Sequence, residues 1–199
     1  MSLLFETISI REGKPENLFW HQARMDRSVE HCLGRKNKIE LIREISIPDF
    51  ARSGHFRCRI DYTTTITKIE FSSYRLADIY SLKVVDIQDY EYSFKFADRN
   101  TLNEFFKQKE ECDDVLLVKN ACITDSSYAN IVFWNGKEWI TPDTPLLKGT
   151  CRARLLASGV IREKRILTND LKDFLYFRLI NALRGFEESP DILISAIRL

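Results

Sequence analysis

The chain has 199 residues, enough for one large domain or two small subdomains with a sizeable core. Hydrophobic residues make up 44% and charged residues 30%, with a formal net charge of +1, so no broad field draws the molecule toward nucleic acid or acidic lipid. A small molecule or a protein is the default partner. The scattered cysteines, Cys32, Cys58, Cys112, Cys122 and Cys151, and the histidines His21, His31 and His55 have the spacing of neither a metal site nor a disulfide framework, so no metal is expected.

The opening MSLLFETISI has no basic leader and no small-residue cleavage site, and no segment reaches the length of a membrane span, so a cytoplasmic, soluble protein is expected. Residues 3 to 10 are rich in strand formers, and REGKPEN, with Gly13 and Pro15, reads as a turn. Asn17 is placed to cap a helix that runs to Gly34, with Leu18, Met25, Val29, Cys32 and Leu33 on one apolar face. His21, Arg24, Ser28 and His31 follow one another along a neighbouring polar line, which by itself reads as a solvated face.

Strands are expected in FRCRIDYTTTITKIEF, YSLKVVD and YEYSFKF, giving a mostly antiparallel sheet with a helix against it. The polar DIQD marks a junction, so the expected division is 1–88 and 89–199. A helix (DRNTLNEFFKQKEE), strands (DVLLVKN, ANIVFW), an Asn135-Gly136 hairpin turn and a further strand (KEWIT) follow. A helix from Thr150 to Gly159 and a longer one, DLKDFLYFRLINALRG, capped by Asn169, close the chain. The class is α+β, with no internal repeat.

Three places could carry chemistry. Alternation in YEYSFKF turns Lys95 away from Tyr90, Tyr92, Phe94 and Phe96; partial desolvation there would favour a neutral amine nucleophile, while the residues taken alone favour an ordinary water-facing lysine. Gly149, Thr150 and Cys151 lie where a helix start offers unpaired amides to an anion, or where Thr150 is a plain N-cap. Asp125 sits before Ser126 and Ser127 in a polar notch, where it could face a cation or bond nearby turn amides.

Four segments, in order, resemble one family. FETI at 5 to 8 is similar to its opening strand motif, HQARMDRS at 21 to 28 to its HxxRLxxS helix motif, and YSFKFADR at 92 to 99 to the region of its catalytic lysine. ITDSSYANIVFWNG followed by TPDTPLLKGTCR resembles its most characteristic run. The chain thus resembles the fold-type IV pyridoxal-phosphate enzymes, or class IV aminotransferases, which include branched-chain and D-amino acid aminotransferases and 4-amino-4-deoxychorismate lyase. The resemblance implies two subdomains with the cofactor site between them, pyridoxal 5'-phosphate as cofactor, an amino substrate and a homodimer.

Position by position, the resemblance makes Lys95 the Schiff-base lysine and proton carrier, and Arg24 a phosphate ligand. Asp125 becomes the carboxylate at the pyridine nitrogen, Leu147 a residue packed on the ring, and Gly149, Thr150 and Cys151 the phosphate-binding turn. Thr7 is expected to face the cofactor, and Arg57 and Arg59, on one strand face, to meet substrate carboxylates. The departures are Asp125 for the usual Glu, Cys151 for a threonine, Ser9 for an arginine after FETI, and a start lacking the usual Gly-Asp-Gly lead-in, which leaves substrate size open. The lyase branch is the expected activity, with pyruvate eliminated to give 4-aminobenzoate for folate synthesis; an aminotransferase is the alternative, and a silent binding protein on the same fold a third reading.

Overall fold

The computed structural model describes residues 3–199; Met1 and Ser2, at the head of the segment searched for a leader, lie outside the described residues. The chain forms two compact units. One runs up to Leu76 and takes in Phe94–Asp98, and the other comprises Ala77–Ser93 and Arg99–Leu199.

The first unit is a 4-stranded antiparallel sheet in the order β2-β1-β3-β4, built from β1 (Leu4–Arg11), β2 (Lys14–Pro15), β3 (His55–Tyr62) and β4 (Ile66–Ser73). Alternation in β1 puts Leu4, Ile8 and Ile10 on the side of helix α1 (Leu18–Leu33), where they pack with Met25, Val29, Cys58, Ile60 and Tyr62. Leu41, on the short helix α2 (Leu41–Glu44), joins that core. α1 ends as expected at Gly34, whose φ of 62° lies in the left-handed region that glycine adopts without a Cβ penalty. Asn17 departs from expectation: its side chain caps nothing, and its main-chain carbonyl accepts the Trp20 N–H at 3.0 Å instead.

YEYSFKF does not form the expected strand. Its aromatic residues serve two cores: Tyr90 packs edge-on against Phe105 in the second unit, while Phe94 and Phe96 join the first core. Only a bridge between Leu4 and Phe96 remains, reinforced by Phe5 N–H to Lys95 C=O at 3.0 Å and Ala97 N–H to Leu3 C=O at 2.8 Å. The chain therefore crosses out after Leu76 and dips back at 94–98, whereas a single boundary after residue 88 was expected; the 86–89 turn lies inside the second unit.

The second unit holds a 9-stranded mixed sheet. Its path is β10 (Ile161–Lys164), β9 (Trp139–Pro142), β8 (Asn130–Trp134), β7 (Cys122–Ser126), β6 (Asp114–Lys119), β5 (Leu82–Asp86) and β13 (Ile197–Arg198). β11 (Tyr176–Ile180) pairs with β8 and with β12 (Ile192–Leu193). The helices are α3 (Asn100–Lys107) and α4 (Thr150–Ala157). The Asn135-Gly136 turn joins β8 to β9 as expected, with the Asn135 side chain accepting the Lys137 and Glu138 amides.

The helix expected over 170–185 is absent. A 3-10 turn at Thr168–Asp173 precedes β11, which lays Phe177 against Phe133 and Leu179 against Ile131 in the buried core. The aromatic and branched residues of FLYFRLI suit a strand, and pairing with β8 satisfies backbone groups that a helix there would leave open. No helix among the described residues is long and apolar enough to cross a membrane.

Candidate active site

Phe5, Thr7 and Ser9 alternate onto the face of the first sheet turned away from α1, and the register sets Thr7 opposite Arg59 and Ser9 opposite Arg57. The Leu4 and Phe96 bridge sets Lys95 opposite Phe5. Lys95, Thr7, Arg57 and Arg59 therefore share a face. Half-buried Lys95 holds its Nζ 4.5 Å from the Phe5 ring centroid, and the Arg59 guanidinium lies 4.0 Å from the same centroid. The two arginines differ. Arg59 donates through Nε and Nη2 to Asp61 Oδ1 at 2.9 and 2.8 Å, whereas exposed Arg57 donates through Nε to the neutral Ser72 hydroxyl at 3.2 Å.

The helix-facing side of β1 carries a charge. Glu6, buried completely, accepts Arg24 Nε on Oε1 at 2.8 Å and Arg24 Nη2 on Oε2 at 2.5 Å. His21 Nδ1 reaches the same Oε2 at 2.6 Å. His21, Arg24 and Ser28 are buried, so the polar line on α1 is a network turned inward and only its last member, His31, is exposed. Burial pushes the Glu6 carboxyl up, but Arg24 and His21 outweigh it and hold the group at about 2. Burial lowers His21, with the Arg24 and Lys95 cations adding to the effect against the pull of Glu6.

In the second unit, Asp125 is in strand β7 rather than in a turn, and it is buried. Its Oδ1 accepts the Asn130 amide at 2.7 Å and its Oδ2 accepts the Leu147 N–H at 2.8 Å. The Asn130 amide also donates to the Leu147 carbonyl at 2.8 Å, so one side chain ties β7 and β8 to the segment that enters α4. Burial pushes Asp125 up to about 6, against the opposing effect of those donors and of Arg152. Gly149 precedes α4 because a Cβ there would lie 2.0 Å from Asn130 Oδ1. Thr150 opens the helix, buried. The Cys151 side chain packs with Val132, Leu155, Ile161, Ile180 and Phe186, leaving only its backbone N–H for an anion.

A family model described as amino-transferase class IV matches residues 3–187. The chain belongs to the class IV aminotransferase family. It is 39% identical, over 92% of its own length and 98% of the relative's, to an uncharacterized protein of Haemophilus influenzae. A crystal structure from Haemophilus somnus, provisionally named a 4-amino-4-deoxychorismate lyase, is 36% identical with a TM-score of 0.87, covering 94% of this chain and 98% of that one. The fold alone, at 14% identity and a TM-score of 0.71, is shared with a hypothetical aminotransferase from Mycobacterium tuberculosis in its PLP-bound form, over 96% of this chain and 80% of that one. The fold of this class IV family member is thus that of the fold-type IV enzymes.

Within each unit of the family member, then, the expected residues gather in three groups. Lys95, Thr7, Arg57 and Arg59 share one sheet face, Arg24 lies on the other side of that sheet, and Asp125, Leu147, Gly149, Thr150 and Cys151 surround the start of α4. Sequence reasoning missed Glu6, His21 and Asn130 as partners of these residues. It also missed Arg99, whose Nη2 donates to the Ser127 carbonyl at 2.6 Å beneath the Tyr128 ring, fixing the turn after β7. Glu6 did carry a signal: it is a charged residue at a position whose alternation neighbours Leu4 and Ile8 are core.

Proposed function

We propose that this family member is a pyridoxal 5'-phosphate enzyme that releases pyruvate from 4-amino-4-deoxychorismate to leave 4-aminobenzoate. The observation that carries the reading is the setting of Lys95, a half-buried amine on the Phe5 ring, on one sheet face with Thr7 and Arg57. The likeness to the provisionally named lyase over nearly the whole of both chains supports this reaction over others.

Each unit by itself carries donors that suit the cofactor by their chemistry. In the first, Lys95 supplies an amine for an aldehyde and Arg24 a guanidinium for a phosphate; in the second, Asp125 supplies a buried carboxylate for a ring N–H, and Thr150 and Cys151 supply helix-start amides for a phosphate. When bound, pyridoxal phosphate supplies an electron sink. Asp125, ionised above about 6 and oriented by Asn130 and Leu147, keeps a ring nitrogen protonated. Half-buried Leu147 would pack on the ring, and Gly149, where a Cβ would strike Asn130, would leave the start of α4 open to a phosphate. Lys95 Nζ removes and returns the substrate proton, and the Thr7 hydroxyl, on the same face, steers it. Arg57 takes a substrate carboxylate, since Arg59 is already neutralised by Asp61. A homodimer is the assembly proposed for this enzyme.

The test is an assay for pyruvate and 4-aminobenzoate from 4-amino-4-deoxychorismate. Stoichiometric release that needs no added keto acid supports the lyase. The description of the matched family favours aminotransfer as the second reading, and activity that appears only with an added keto acid would select it.

A further inference from the structure

A buried guanidinium held on a buried carboxylate carries no net charge, so the Arg24 and Glu6 pair by itself attracts a dianion weakly. His21 changes that balance. It shares Glu6 Oε2 with Arg24 and is the member of the cluster whose charge can change near neutral pH. With Glu6 ionised, neutral His21 donates its Nδ1–H to Glu6, which leaves Nε2 as the basic nitrogen.

We propose that Glu6, Arg24 and His21 form a proton-coupled anion site, in which a phosphate group held by Arg24 draws one proton from solvent onto His21 Nε2. The proton leaves no other protein group, the Nδ1–H stays on Glu6, and the cluster passes from neutral to singly positive as the dianion arrives. This rests on the reading of Arg24 as a phosphate ligand given above. It explains why a phosphate site is built around a buried carboxylate: Glu6 orients the Arg24 fork and keeps the imidazole basic enough to accept the proton.

The groups that act on the cluster from the surrounding elements are consistent with His21 as the titrating member. Burial is the main cause that lowers His21, and Arg24 from α1 and Lys95 from the 94–98 segment add to it while no anion is bound. Tyr62 of β3 lies within the field of Glu6 and Arg24, and burial pushes its phenol upward, so it stays neutral. Glu6, held at about 2, stays ionised.

Sulfate is the probe, because it carries no proton across the neutral range, and chloride at matched ionic strength is the control. The chain has three histidines, so the ring signal of His21 can be followed by NMR beside those of His31 and His55. Sulfate is expected to raise the His21 titration midpoint by about one pH unit and to leave the other two in place. By linkage, sulfate then binds about tenfold more tightly to the form with protonated His21, and in His21→Gln its affinity loses that pH dependence. An unmoved His21 midpoint, with sulfate or pyridoxine 5'-phosphate still perturbing the Arg24 Nε–H signal, overturns the proposal and leaves the reading of Arg24 standing. No perturbation of that signal by either anion overturns both. The wild-type titration decides without any variant that risks the fold.

Discussion

The Asn130 side-chain amide occupies the space that a side chain at position 149 would need: a Cβ on Gly149 would sit 2.0 Å from Asn130 Oδ1. The same amide binds Asp125 and the Leu147 carbonyl. Gly149→Ala must therefore displace Asn130 and break both bonds, and it should destabilise the protein by about 1–3 kcal/mol in denaturant unfolding. Asn130→Ala removes the obstruction, so the double variant should be less destabilised than the sum of the singles. Strict additivity would show that the two residues do not compete for this space.

Stability should depend on pH in two separable windows. Asp125 is raised from its ordinary 3.8 to about 6, so the folded cofactor-free protein binds more protons than the unfolded chain between those values. Its contribution is present below 3.8 and is lost as pH rises through 6, by about 3 kcal/mol. Glu6 is lowered from 4.5 to about 2, and the sign reverses: its contribution, again about 3 kcal/mol, is present above 4.5 and is lost as pH falls through 2. Unfolding curves across pH should show Asp125→Asn flattening only the upper window and Glu6→Gln only the lower one.

Removing one partner of the buried Glu6 and Arg24 pair leaves the other charge stranded. Arg24→Met should lower stability by about 3–5 kcal/mol, whereas the Arg24→Met, Glu6→Leu double variant should recover part of that loss. Thermal melts of the single and double variants measure the difference, and equal losses in both would show that the stranded charge is not what destabilises the single variant.

Arg57 and Arg59 should separate kinetically. Arg57→Ala removes an exposed cation whose guanidinium is hydrogen-bonded to the neutral Ser72 hydroxyl rather than to a carboxylate, and it should raise KM about tenfold or more with little change in kcat. Arg59→Ala breaks the pair with Asp61 and the contact with the Phe5 ring on which Lys95 rests, so it should act mainly on kcat. Steady-state kinetics of the pyruvate-releasing reaction check both.

Local pattern made part of this structure legible and left part of it hidden. The apolar stripe of α1 and its stop at Gly34 are properties of neighbouring residues, as are the strand-forming run of β3 and β4 and the turn at Asn135. The run that holds β11 reads as a helix from the cap that Asn169 offers, and its pairing with β8 is decided by residues more than forty positions earlier. The split of YEYSFKF between two cores has the same origin. Motif order is what singles out Arg24, Lys95 and Asp125. That the polar side of α1 faces inward is not legible locally, because the carboxylate that receives Arg24 and His21 lies on another element.

The central claim is that Lys95 is the residue that binds the cofactor covalently. The protein should be loaded with pyridoxal 5'-phosphate, treated with borohydride, digested and analysed by peptide mass, beside a Lys95→Ala control. A near-visible absorbance band that borohydride removes, with a phosphopyridoxyl adduct on the peptide at Lys95 and none in the control, is the predicted result. No band and no adduct, or an adduct at another lysine that persists in Lys95→Ala, would contradict the account.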